Sequence, residues 1–173
     1  MRKTLFALLP CLLLALPSAA RADYESAVLS YDKGRYDVAL RDFRPLSETG
    51  HSGAEFMLGA MYFYGRGVTR NDGLAAIWFF KAANQGHPGA QLAFGSMHIR
   101  GIGVRQDLVS AYIWLSLVLR SAVPTLVHQA TMLRDEAARL MTPQETETAR
   151  LRAADWSPTP AGLTRWRGLD LGK

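Results

Sequence analysis

Residues Gly50–Gln85 are followed, without a gap, by a second copy of themselves. GHSGAEFMLGAMYFYGRGVTRNDGLAAIWFF becomes GHPGAQLAFGSMHIRGIGVRQDLVSAYIWLS, offset by 36 residues. Twelve positions are identical across the offset: Gly50/Gly86, His51/His87, Gly53/Gly89, Ala54/Ala90, Gly59/Gly95, Met61/Met97, Gly65/Gly101, Gly67/Gly103, Val68/Val104, Ala75/Ala111, Ile77/Ile113 and Trp78/Trp114. Most are Gly or Ala, residues that set backbone path and spacing rather than chemistry. A fixed period of about 20–50 residues means an array of stacked units, each burying its apolar face against its neighbours. Chains of this kind usually bind other proteins and seldom catalyse.

Within the first copy, Ala54, Leu58, Met61 and Tyr62 recur at helical spacing on one face. Gly65 follows as a C-cap, free to adopt the left-handed conformation. Gly65-Arg66-Gly67-Val68 reads as a loop, Asn71 as an N-cap, and Ala75, Trp78, Phe79, Ala82 and Ala83 as the apolar face of a second helix. Gly86 ends it. The second copy repeats the plan from about Pro88, with Gly101 as cap, Asp107 as N-cap and a helix through Leu119. Pro88 suits a first helical turn, where its missing N–H is harmless. Gly59 and Gly95 sit mid-helix, where glycine costs about 1 kcal/mol against alanine. Such a cost points to close approach of two helices, with Trp78 and Trp114 filling the space between units.

The pattern Ala54, Leu58, Gly59, Tyr62, Gly65, Gly67, Val68, Ala75, Trp78, Lys81, Ala82, Ala83 and Gly86 resembles the Sel-one-like repeats, relatives of the tetratricopeptide repeats. Asn71 replaces the usual Asp. The second copy matches at Ala90, Gly95, Gly101, Gly103, Val104, Asp107, Ala111 and Trp114, and departs at Phe94, His98, Leu117, Val118 and Leu119. The resemblance covers Gly50–Ser121. It implies an all-α fold, a superhelical solenoid of stacked antiparallel helix hairpins that serves as an interaction scaffold. It carries over no catalytic residue.

The flanks complete the expected organisation. Residues 1–22 have the grammar of a secretory signal: Arg2 and Lys3, an apolar run Leu5–Leu16, and Ala20-Arg21-Ala22 as a cleavage site. The run is shorter than the ~20 apolar residues needed to span a bilayer. Cys11, the chain's single cysteine, follows Pro10 inside that run and does not read as a lipid-attachment site. Cleavage would remove Arg2, Lys3 and Arg21 and lower the net charge from +5 to +2, leaving no basic stripe for nucleic acid. A periplasmic or secreted location follows, with no membrane span after cleavage.

Residues 23–49 read as a degenerate first repeat (Ala27, Tyr31, Gly34, Tyr36, Ala39, Phe43), with Pro45 expected to kink or shorten its second helix. Repeats follow at 50–85 and 86–121. Residues 122–156 read as two capping helices, the first with an apolar stripe Leu126, Ala130, Leu133, Ala137 and Leu140, the second opened by a capping box on Thr142 and Glu145. Residues 157–173 form a tail with Trp166, Leu169 and Leu171.

Catalytic and metal chemistry finds little support. The Gly-x-Gly loops lack the preceding strand and third glycine of a dinucleotide fingerprint. His51 and His87 occupy equivalent loop positions, expected at the surface. Equivalent positions in neighbouring units lie about 10 Å apart, too far to share an ion with ligand distances of about 2 Å. His98 reads as packing and His128 as solvated. No catalytic, cofactor or metal site is expected. The residues that exceed packing needs are aromatic. Phe56, Met57, Phe63 and Tyr64, continued by Leu92, Ile99 and Arg100, are expected to face a concave groove, because first helices line the concave side of similar repeats. Exposed apolar surface of that kind marks a binding site. The reading is an exported, non-enzymatic scaffold binding an unidentified protein or peptide of the bacterial envelope. Its rivals are a peptidoglycan- or polysaccharide-associated module and a penicillin-interacting enzyme. The last is suggested by cysteine-rich secreted members of the family, whose cysteines are lacking here.

Overall fold

A computed structural model describes residues 16–159, with side chains from Asp23 onward. The described residues form eight α-helices and no strand. They are α1 (Leu16–Asp32), α2 (Tyr36–Glu48), α3 (Ser52–Tyr64), α4 (Asp72–Asn84), α5 (Pro88–Arg100), α6 (Leu108–Val118), α7 (Pro124–Arg139) and α8 (Pro143–Asp155). Consecutive helices pack in pairs, α1 on α2, α3 on α4 and α5 on α6, and each pair packs on the next through α2–α3 and α4–α5. The chain past α6 departs from this plan: α7 packs on α6 and α5, while α8 packs on α6. The expected signal segment lies mostly outside the described residues, apart from the α1 backbone across 16–22.

Three apolar clusters follow the stacking order. Ala27, Ala39, Phe43, Ala54, Leu58 and Met61 join α1, α2 and α3, with Trp78 packed against them. Ala75, Ala76, Phe79, Ala82, Ala83, Ala90, Phe94 and Met97 join α4 and α5, with Trp114 alongside. Leu115, Val118 and Ala130 join α6 and α7. Phe43, Phe94, Leu58, Met61 and Leu115 are fully buried. Burial of each such side chain stabilises the fold by about 1.5–3 kcal/mol before chain entropy is counted. Each tryptophan therefore seals the joint between its own hairpin and a neighbour.

The repeated glycines have a specific cause. An added Cβ at Gly59 would lie 2.6 Å from the Phe79 ring, and at Gly95 2.8 Å from Leu115 Cγ. Each glycine makes room for a side chain of the second helix of its own hairpin. The second glycine of each Gly-x-Gly loop serves the joint between hairpins. A Cβ added at Gly67 (φ +72°) would lie 2.9 Å from the carbonyl oxygen of Tyr36, and one added at Gly103 (φ +68°) would run into the carbonyl of Asp72. Tyr36 and Asp72 each open the second helix of the preceding unit. The loop thus touches the same point of its neighbour in both copies, and no side chain fits there.

Pro45 does not end α2: the helix continues to Glu48, and the Pro45 carbonyl accepts from Thr49 N–H. Pro45 is exposed and lies in the last turn, so only one ladder hydrogen bond is lost. Leu140 also departs from expectation. It caps the end of α7 at 67 % exposure instead of joining the apolar stripe, which holds at Ala130 and Ala137.

Candidate functional site

The first helices of successive units lie side by side, and a groove of about 370 Å³ runs between them. α3 contributes Phe56, Ala60, Phe63 and Tyr64; α5 contributes Gly89, Leu92, Ala93, Ser96, Met97 and Arg100; α7 contributes Leu126, Gln129 and Leu133. Phe79 and Ile102 complete the wall. Among the described residues the lining is mostly apolar and holds a single charged side chain, Arg100.

The repeat period explains the arrangement. Phe56 and Leu92 are equivalent positions, as are Ala60 and Ser96, and Tyr64 and Arg100. One helical face is therefore presented twice, and α7 supplies a third wall without the repeat motif. Along α3, Phe63 meets Tyr64 edge-on at 5.1 Å and lies 6.4 Å from Phe79. Tyr64 is 63 % exposed. The Arg66 guanidinium stands 5.2 Å over its ring, and Arg70 stands 5.7 Å over Phe63 while pairing with Asp72 at 2.9 Å. Arg66 also donates to Tyr31 Oη at 2.7 Å.

Of the residues expected in the groove, Phe56, Phe63, Tyr64, Leu92 and Arg100 line it. Met57 and Ile99 do not. Met57 packs on the Phe43–Leu58 cluster, because α1 and α2 cover that side of α3. Ile99 packs with Leu115, Val118 and Ala130, because α7 sits over it. Leu126, Gln129 and Leu133 were missed, since nothing in their spacing says which side of the preceding hairpin α7 will take.

The histidines are not the surface loop residues expected. His51 Nδ1 accepts from Ala54 N–H and His87 Nδ1 from Ala90 N–H, each at 3.2 Å, so both are helix N-caps. Both are half-buried. His51 stacks on Tyr24 at 4.5 Å and His87 on Phe56 at 4.7 Å. Burial holds the His87 imidazole below its ordinary pKa, and the nearby His51 adds to this. Capping requires the neutral ring, so the two effects agree. His98 stands edge-on to Phe94 at 4.7 Å, with Nδ1 buried and without a partner. Burial lowers its pKa, against the opposing charge of Asp107. His128 is exposed, as expected. Among the described residues, no group of three or more His, Cys, Asp or Glu is placed to hold a metal ion.

One carboxyl stands out by burial. Glu55 is 4 % exposed, and its Oε2 accepts from Gln85 Nε2 at 2.6 Å. Burial pushes its pKa up to about 7, against the opposing pull of Lys81 and the Gln85 bond. Its counterpart Gln91 is also buried, and donates to the Ala83 carbonyl at 3.2 Å. The alternation of carboxyl and amide at one buried site marks a structural position, and neither residue lines the groove.

Stacked helix hairpins, glycine-punctuated loops and a groove along the first helices define an α-helical repeat solenoid. More specifically, residues 52–87 and 88–117 each match the Sel1 repeat, in tandem. Known structures agree. The chain is 26 % identical, at a TM-score of 0.73, to a protective antigen present in uropathogenic Escherichia coli strains that displays an SLR fold. That match covers 82 % of this chain and 30 % of the antigen. A Sel1 repeat protein from Oxalobacter formigenes aligns at a TM-score of 0.61 and 23 % identity, over 79 % of this chain and 55 % of that one. Over 43 residues the chain is 44 % identical to the exopolysaccharide production negative regulator of Rhizobium meliloti (strain 1021), a stretch amounting to 25 % of this chain and 16 % of that protein. The chain thus spans only a fraction of the proteins it matches. Sel1 repeats generally mediate protein interactions and are generally non-catalytic.

Proposed function

We propose that the protein is an exported, non-catalytic scaffold of the bacterial envelope that holds a protein or peptide partner in the groove between α3, α5 and α7. The observation that carries this reading is the groove itself: apolar, open, and built from the one helical face that both repeats present. Apolar concavities with a few placed polar groups are the usual form of a binding site. Large aromatic and arginine side chains at such places dominate interface energies.

The test is crosslinked capture from periplasm with the wild type and a Tyr64→Ala/Arg100→Ala variant. Both side chains are exposed, so the variant keeps its melting temperature within a few degrees and loses its partner. Undiminished capture would place the interface elsewhere. Export is tested separately: mass spectrometry of the fractionated protein should find Asp23 at the mature N-terminus.

A second reading has one observation in its favour. Tyr31, Tyr36 and Tyr64 surround Arg66; Tyr64 is exposed and lines the groove, and an exposed ring is a platform for sugars as well as for peptides. Co-sedimentation with purified sacculi would support a polysaccharide-associated module. Covalent labelling by penicillin would support the enzymatic alternative.

A further inference from the structure

The groove's charge pattern says more about its occupant than its apolarity does. Among the described residues, Arg100 is its single charged lining residue, and no carboxylate lines the groove with it. Arg100 is exposed and engages no hydrogen-bond, ion-pair or ring partner among the described residues. The neighbouring arginines behave differently: Arg70 is paired with Asp72, and Arg66 is bonded to Tyr31. A cation in the last turn of a helix suits the helix dipole, which accounts for a basic residue there. The dipole does not account for its lying on an otherwise apolar wall. At the equivalent place in the preceding repeat stands Tyr64, also exposed and also lining the groove. The two copies thus offer a ring and a guanidinium without a partner among the described residues at the same end of one apolar channel.

Resting on the binding reading above, we propose that the groove takes a peptide segment of large apolar side chains flanked by an Asp or Glu. The apolar side chains lie along Phe56, Leu92, Ala93 and Leu133, and the carboxylate accepts from Arg100. The Arg100 fork suits two-pronged bonding to a carboxylate. The Arg66 charge, bonded only to the neutral Tyr31 hydroxyl near the same end, disfavours a basic peptide, so the pattern selects as well as attracts.

The test is selection from a random-peptide display library on the immobilised full chain, followed by titration of synthetic versions of the selected peptides. We expect the selected peptides to pair large apolar residues with Asp or Glu. Replacing that acid by its amide should weaken binding about tenfold, the scale of one charge-assisted hydrogen bond. Arg100→Gln should bind both forms alike, and Arg100→Glu should select Lys or Arg at that position. Ser96→Trp, which fills the groove from its floor, should abolish all binding. Peptides lost with Ser96→Trp but indifferent to their acid, or to Arg100→Gln, would overturn the acidic specificity and leave the groove reading standing. Peptides that still bind the Ser96→Trp chain, or a failure to select any, would overturn the groove reading itself. Selection that appears only after residues 160–173 are removed, or self-association lost with Ser96→Trp, would name the chain's own tail or a second copy as the occupant and overturn the proposal.

Discussion

Glu55 and Gln91 show how a single substitution between copies changes a site that is otherwise repeated. Both are buried in the first turns of equivalent helices, but only the carboxyl must be desolvated when charged. Its folded pKa, about 7, lies above the ordinary 4.5. Between these values the native state keeps a proton that the unfolded chain releases. Stability from this group is therefore greatest below the unfolded value, falls as pH rises to about 7, and is level beyond. Glu55→Gln should remove that slope and stabilise the protein above neutrality, with a ceiling of about 3 kcal/mol. Thermal melts of both chains across this range would show it, and parallel curves would count against a neutral Glu55. At Gly59 the repeat disclosed a tight spot without saying what causes it. The cause is the Phe79 ring, itself 4 % exposed and unable to swing away. Gly59→Ala should thus cost about 1–3 kcal/mol in urea unfolding, despite alanine's better helix propensity. Glycine spacing is visible in a sequence, but the ring that demands it comes from a helix twenty residues on.

At the scale of elements, α3 to α6 were legible because two copies of one pattern reinforce each other: Asn71 and Asp107 cap, and Gly65 and Gly101 terminate, at matching places. The histidine caps of α3 and α5 were not legible, because imidazole is not among the common capping groups. Its role here depends on Tyr24 and Phe56 holding the rings in place. Removing a cap typically costs about 1 kcal/mol, and His87→Ala should lose that much at neutral pH. The pH dependence has the opposite sign to that of Glu55. The folded pKa of His87 is depressed by burial, so the unfolded chain binds the proton first. The cap's contribution is present above the ordinary imidazole pKa and is lost as pH falls through the folded value. His87→Asn should keep an accepting cap that does not titrate. In a Glu55→Gln background, where the competing slope is gone, the melting temperature of His87→Asn should decline less on acidification than that of the parent. Equal declines would mean that the His87 ring is not the acid-sensitive cap.

For the molecule as a whole, the fold class followed from the period, because stacking is the only way such hairpins can bury their apolar faces. The groove was legible in part. Phe56, Phe63, Tyr64, Leu92 and Arg100 were found from the repeat, whereas the α7 wall was not, since α7 carries no copy of the motif. The closure of the array was hidden for the same reason. Arg120 donates to the carbonyls of Ala153 and Trp156 at 2.7 and 3.3 Å, which caps α8 from the end of the preceding unit. Trp156 then meets Trp114 edge-on at 6.3 Å, and Thr159 N–H reaches the Asn84 carbonyl at 2.8 Å. This strap carries the chain from α8 back to the end of α4, past the α5–α6 hairpin. Solenoid units ordinarily hold only their neighbours and fray from the ends. The strap opposes fraying by tying the last unit to one further back. Trp156→Ala should remove it. Trp156 is only half-buried, so the loss should fall short of the about 3–5 kcal/mol typical of a fully buried aromatic. Its distribution matters more than its size. Amide hydrogen exchange should quicken in α7 and α8 and at the α4–α5 turn, while α2 and α3 keep their protection. If every helix lost protection alike, the strap would instead be part of one cooperative unit that includes the N-terminal hairpins.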